Sequence, residues 1–201
     1  DRRKGMGFQA YTSFPWLTVL DNIRFGTKYR NDIGKMEKET VADHYLQLVG
    51  LKEFSNYYVN RISGGMRQRV AIARTLAANP DVLLMDEPFG ALDAQTREFL
   101  QGQLLEINKR ERKTTIFVTH DVDESIVLAD RIFIFSARPA SVIEIIQVSQ
   151  HITSERDISV KETQSFFKLR NHIRDLMRDQ ARRTQELAEQ EIIHGVEGGR
   201  V

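Results

Sequence analysis

The sequence predicts an α/β fold, part of a parallel sheet with a helical lobe inserted between its strands. Three observations carry that expectation. Val82, Leu83, Leu84 and Met85 form an unbroken apolar run, the pattern of a strand buried on both faces of a parallel sheet. Thr114-Thr115-Ile116-Phe117-Val118-Thr119 is a second β-rich run, with branched and aromatic side chains suited to a pleated surface. Between Gln9 and Ala78 the apolar residues recur mostly at helical spacing instead.

Composition sets the outer bounds. A 41% hydrophobic content over 201 residues supports one sizeable core, or a core with a smaller lobe. The net charge of +1 provides no general field toward nucleic acid or an anionic membrane. Cysteine is absent, which excludes a disulfide framework and cysteine-ligated metal and suits a reducing cytoplasm. No apolar run approaches the roughly 20 residues that a membrane helix needs. The opening DRRKGMG has no apolar segment behind its charges, so it is not a secretory signal, and it carries no initiator methionine.

In chain order, Met6-Gly7-Phe8-Gln9 reads as the end of a short strand followed by a glutamine. Tyr11, Phe14, Trp16 and Leu17 then crowd a loop. They are too dense in aromatics for a simple surface loop and are expected to cap the core of the helical lobe, with Trp16, following a proline, near the surface. Thr18 begins a helix expected to stop at Gly26. Lys28–Lys38 is a polar connection, and Met36–Val49 a helix on Val41, Tyr45, Leu48 and Val49 ended by Gly50. Ser63-Gly64-Gly65 opens a helix over Met66–Ala78, with Val70, Ala73, Leu76 and Ala77 at helical spacing. It stops at Asn79-Pro80, because proline cannot continue it. Arg67, Arg69 and Arg74 either face a phosphate or line a solvated helix face.

Asp86 and Glu87 follow the apolar strand, at the carboxyl end where open α/β sheets bind ligands. The Ser-Gly-Gly helix start offers unpaired N–H groups, a hydroxyl and the positive end of a helix dipole, a combination suited to phosphate. A glycine-rich helix start and a charged strand end are each commonplace, but together in one short stretch they point to a phosphate site. Pro88-Phe89-Gly90 makes a turn, and Ala91-Leu92-Asp93 leads into a helix over Ala94–Arg110 with Phe99, Leu100, Leu104 and Ile107 on one face. His120 ends the second strand, at the same sheet edge as Asp86 and Glu87 if the strands are parallel. Asp121 is a helix cap with Glu124 three residues on. Arg131–Phe135 and Val142–Val148 are two further strands around a turn at Pro139. In the tail, Phe166, Leu169, Ile173, Leu176 and Met177 make the apolar stripe of a helix expected to dock on the core. Asp179–Glu191 carries it toward solvent, and Gly195–Val201 is expected to fray.

Several of these segments, in this order, resemble one family. Ile62-Ser63-Gly64-Gly65-Met66 is similar to the signature motif of ATP-binding cassette (ABC) ATPases, Val82–Glu87 to their Walker B strand and its glutamate, and Ala91-Leu92-Asp93 to their D-loop. Val118-Thr119-His120-Asp121 matches their switch histidine, and Gln9 the opening of their Q-loop. MDEPFGALD and Phe14-Pro15-Trp16-Leu17-Thr18-Val19 look most like importer ATPases of the nitrate, sulfonate and taurine group. Met66 stands where glutamine is typical of the family, which removes one potential polar contact to nucleotide.

The resemblance implies a partial P-loop NTPase (RecA-like) sheet with an inserted helical subdomain. Its boundaries would be a core remnant at 1–8, a helical subdomain at 9–79, a core at 80–148 and a helical tail at 149–201. It implies ATP and Mg²⁺ as cofactors: Asp86 and Gln9 toward the metal, Glu87 as general base, and His120 and Gln9 with the attacking water and γ-phosphate. Ser63, Gly64, Gly65 and Asp93 would contact nucleotide across a head-to-tail pair of ATPase subunits. The implied partners are that second subunit, a membrane permease at the Q-loop region and, indirectly, a substrate-binding protein, with no nucleic acid. The implied place is the cytoplasmic face of the cell membrane. No GxxxxGKS/T loop occurs in the 201 residues, and the expectation is an N-terminally truncated cassette. If so, the alternative to an ATPase is a docking module that does not turn over ATP.

Overall fold

The computed structural model describes residues 4–7, 13–136, 139–152 and 157–197, with side chains for all of these except 4–7, 111 and 183–197. The chain divides into two compact units, Asp1–His120 and Asp121–Val201.

The first unit contains β1 (Lys4–Gly7), α1 (Val19–Thr27), α2 (Lys35–Leu48), α3 (Gly64–Ala77), β2 (Val82–Asp86), α4 (Ala94–Glu111) and β3 (Thr114–Val118). Its sheet has the order β1-β2-β3, with both pairings parallel. Parallel neighbours need crossover segments, supplied here by the helical lobe between β1 and β2 and by α4 between β2 and β3. The expectation for β2 needs one correction. Leu83 and Met85 are buried, but Val82, Leu84 and Asp86 alternate with them as half-buried positions, so one face is packed more deeply than the other. On β3 the same alternation leaves Ile116 and Val118 exposed.

The lobe is tied by local caps. Thr18 accepts from Asp21 N–H at the start of α1. Asn22, fully buried, turns back to accept from Phe14 N–H at 2.8 Å and to donate to the carbonyls of Phe14, Leu17 and Thr18. That closes the loop before the helix. Helix α1 runs through Gly26 rather than stopping there. A Cβ at Gly26 would come within 2.2 Å of the Arg74 carbonyl oxygen, so this glycine permits α1 to lie against α3. Gly50, at φ 66, does end the second helix in the left-handed region that glycine adopts readily. Behind β2, Ile72, Leu76, Met85, Phe89, Leu100, Leu104 and Ile107 form a continuous apolar layer. Phe99, expected in that layer, is instead 50% exposed.

The second unit holds α5 (Val122–Leu128), β4 (Arg131–Phe135), β5 (Val142–Gln147) and α6 (Gln164–Glu197). The two strands pair antiparallel as a sheet of their own, with Ile132, Ile134 and Ile146 buried. Asp121 caps α5, accepting from the N–H groups of Asp123 and Glu124. Phe166, Leu169 and Ile173 bury the stripe of α6, whereas Met177, expected with them, is exposed. Gly198 to Val201, within the stretch expected to fray, lie outside the described residues.

Candidate functional site

Parallel pairing of β2 with β3 brings the acidic strand end and the histidine to one place. The register sets Asp86 opposite Val118, and Glu87 extends the ladder by donating its N–H to the Val118 carbonyl at 2.8 Å. His120 lies two residues beyond Val118, so its ring reaches the same edge. His120 Nδ1 and Glu87 Oε1 stand 3.0 Å apart, within hydrogen-bond distance. The Glu87 side chain is 27% exposed and that of His120 76%. The pair faces solvent in the single chain, and a dry pocket around it would need a covering surface.

The backbone at Glu87 is unusual. Its φ is 43°, in the left-handed region that residues with a Cβ enter at a cost. The turn after it is held firmly: Gly90 N–H donates to the Glu87 carbonyl, Leu92 N–H to that of Phe89, and Phe89 is buried among apolar neighbours. Asp86, half-buried, is the last position of β2 and directly precedes Glu87 in the chain. Among the described residues no group of three or more His, Cys, Asp or Glu side chains converges on one point. A lone strand-end carboxylate suits a hard cation that takes most of its ligands from phosphate and water.

Ser63 is the N-cap of α3: its Oγ accepts from Met66 N–H at 3.2 Å, and it is exposed. Gly64 and Gly65 are the first residues of the helix, where N–H groups have no acceptor within the helix itself. Gly65 lies against the next turn, since a Cβ there would meet Leu92 Cδ2 at 3.4 Å and the Ala91 carbonyl at 3.5 Å. Asp93 caps α4 by accepting from Thr96 N–H at 2.9 Å. That bond, more than the nearby Arg69 charge, holds its carboxyl below the usual carboxylate range. Gln9 and Tyr11 lie outside the described residues.

The three arginines of α3 do not form a solvated face. Arg67 donates to the Ile62 carbonyl, and Arg69 donates to that of Val49. The Arg74 guanidinium lies 4.9 Å from the centre of the Phe14 ring. Burial lowers the pKa of Arg69 and Arg74 from the ordinary arginine value. Phe14 also packs on Phe25 and Trp16, leaving Trp16 69% exposed at the edge of the aromatic group. Sequence reasoning missed Asn22 and Gln68. Both are polar residues inside apolar helical patterns, and each turns out to be buried with backbone partners outside its own helix.

A family profile described as ABC transporter matches residues 1–90. An uncharacterized ABC transporter ATP-binding protein of Methanocaldococcus jannaschii is 45% identical over 88% of the chain. The chain spans 64% of that relative's length. A nitrate import ATP-binding protein of Synechocystis is 42% identical over 91% of the chain and 69% of its own length. A taurine import ATP-binding protein of Rhizobium johnstonii is 40% identical over 87% and 67%. Among solved structures, a dimeric ATP-binding cassette in a post-hydrolysis state, bound to ADP and Pi, superposes with a TM-score of 0.64. It is 34% identical, and the match covers 73% of this chain and 63% of that one.

Proposed function

The chain belongs to the ABC transporter ATP-binding family, with the P-loop NTPase fold of its solved relatives, and we propose that it serves as the ATP-hydrolysing subunit of a bacterial importer for small oxyanions such as nitrate, sulfonates or taurine. The observation that supports this most is the approach of His120 to Glu87 beside Asp86, at the carboxyl end of a parallel sheet. The substrate class follows the relatives named for nitrate and taurine import.

Phosphoanhydride hydrolysis needs charge neutralised between the phosphates and a water aligned with the leaving oxygen. Mg²⁺ supplies the neutralisation when bound, and Asp86 is the residue assigned to hold it, with Gln9 as a further contact. Glu87 takes the proton of the attacking water as general base. His120, set against Glu87, orients that water and hydrogen-bonds the γ-phosphate.

In this reading two ATPase subunits pair head to tail. Ser63, Gly64 and Gly65 of one face the nucleotide held by the other, and Asp93 crosses the same interface. The exposure of Ser63, Asp93 and His120 in the single chain is consistent with a surface that a second copy covers. The aromatic group around Trp16, next to the Q-loop region, receives the permease, and the substrate-binding protein acts through that permease. Among the described residues no helix is long and apolar enough to cross a membrane, and the proposed place is peripheral, at the cytoplasmic face. Residues 9–79 are the helical subdomain, 80–148 the catalytic core and 149–201 a helical tail.

The test is Mg²⁺-dependent ATP turnover by the full protein. Glu87→Gln, which keeps the shape but removes the base, lowers turnover at least about 100-fold while nucleotide binding persists. Unchanged turnover in that variant rejects the assignment.

A further inference from the structure

Gln68 lies on α3, just beyond the Ser63-Gly64-Gly65 start, and is 2% exposed. Its Nε2 donates to the carbonyl oxygen of Pro88 at 2.8 Å, a buried bond between residues 20 apart in sequence. Its Oε1 is buried with no donor among the described residues. Burying an amide with half of its capacity unused costs free energy that a methionine of similar size would avoid. Packing by itself therefore does not account for glutamine here.

The other end of the bond does. Proline has no N–H, so the Pro88 carbonyl is the only hydrogen-bonding group its backbone offers. The peptide it follows belongs to Glu87, whose φ of 43° is disfavoured for a residue with a side chain. Such a conformation persists where surrounding bonds over-determine it. Two of those bonds are local to the sheet and turn: Glu87 N–H to Val118 and Gly90 N–H to the Glu87 carbonyl. The third, from Gln68, comes from the helix that Ser63 begins.

We infer that Gln68 is a positioning residue that ties the start of α3 to the Glu87–Pro88 turn, so that occupancy of one influences the other. The inference rests on the proposed roles of Glu87 and the Ser63-Gly64-Gly65 helix start. In a head-to-tail pair those two features of one chain face different nucleotides. Gln68 then carries the presence of nucleotide at one site to the base that serves the other.

The experiment uses the full protein with Gln68→Met and Gln68→Glu, both near-isosteric and both without the N–H donor. Each lowers kcat about tenfold or more and leaves KM for ATP within about twofold. Without nucleotide, amide hydrogen exchange over residues 87–92 speeds up about tenfold in both, while exchange along residues 66–76 stays slow. In a Glu87→Gln background, Gln68→Met leaves the residual single-turnover rate unchanged, because it acts through Glu87. Normal kcat in Gln68→Met, or a loss confined to Gln68→Glu that marks only a buried charge, overturns the inference. So does failure of both variants to fold, which makes Gln68 merely structural. The two readings fail separately. Full turnover in Glu87→Gln defeats the assignment of the base, whereas a normal Gln68→Met beside an inactive Glu87→Gln defeats only the tie.

Discussion

Ser63 and Asp93 do the same local job at the starts of α3 and α4, each accepting a first-turn N–H, from Met66 and from Thr96. What surrounds them differs. The turn before Asp93 runs through buried Pro88, Phe89 and Leu92, is pinned by backbone bonds at Glu87, Gly90 and Leu92, and receives Gln68 from another helix. At the other start Ser63 is exposed, and the two half-buried glycines after it present helix-start N–H groups. A strained glutamate that must keep one orientation is over-determined, whereas a helix start suited to an anion is left accessible. The contrast separates the cost of holding a group from the availability of a group to a ligand.

The largest effect on stability is expected where the pinned turn meets the core. Phe89→Ala removes a fully buried ring packed 5.6 Å from Phe117 and lowers unfolding free energy by about 3–5 kcal/mol, read from the denaturant midpoint. If the loss is below about 1 kcal/mol, the turn is not anchored through Phe89 and the contrast between the two turns weakens.

Ser63→Ala tests the open turn. Removal of one cap costs about 1 kcal/mol of stability, a small effect beside Phe89→Ala. If the helix start receives nucleotide as proposed, ATP turnover falls far more than that loss explains. Stability and turnover declining together, with no excess in turnover, would make Ser63 a cap and nothing else.

Asp93 gives the smallest effect, and its signature is the acid limb of the stability curve. Its carboxyl pKa is depressed in the fold, chiefly by the Thr96 bond. The unfolded chain therefore binds the proton more readily, and the carboxylate's contribution is present above the ordinary aspartate value near about 3.9. It is lost as pH falls through the lowered folded value. Asp93→Asn keeps an acceptor for Thr96 N–H but has no charge to lose, so the acid limb of its stability curve is flatter and the small charge-dependent share is missing at neutral pH. Parallel acid limbs for the two proteins would show that the cap carries no charge-dependent share.

Much of this architecture was legible locally. The caps at Thr18, Ser63, Asp93 and Asp121 follow from short polar side chains placed before helical spacing, and Pro80 and Gly50 end helices for stereochemical reasons. Misreadings cluster where a residue's role depends on something distant. Gly26 looked like a stop because glycine is a helix terminator locally, but its lack of a side chain serves the Arg74 carbonyl on another helix. Phe99 fitted an apolar stripe yet faces outward, because the stripe of α4 is set by which side meets β2. Arg69 and Arg74 fitted either a phosphate contact or a solvated face, yet one reaches the Val49 carbonyl and the other stacks on Phe14.

From the chain alone came the α/β class, the order of helices and strands, and the residue types able to handle a phosphate and a metal. These depend on periodicity, turn chemistry and side-chain functional groups, all of which act within a few residues. Tertiary structure alone decided that Glu87 and His120, 33 positions apart, approach within 3.0 Å, and that Gln68 reaches the Pro88 carbonyl. Strand register and helix packing depend on which distant surfaces exclude water together, and no local spacing specifies that pairing.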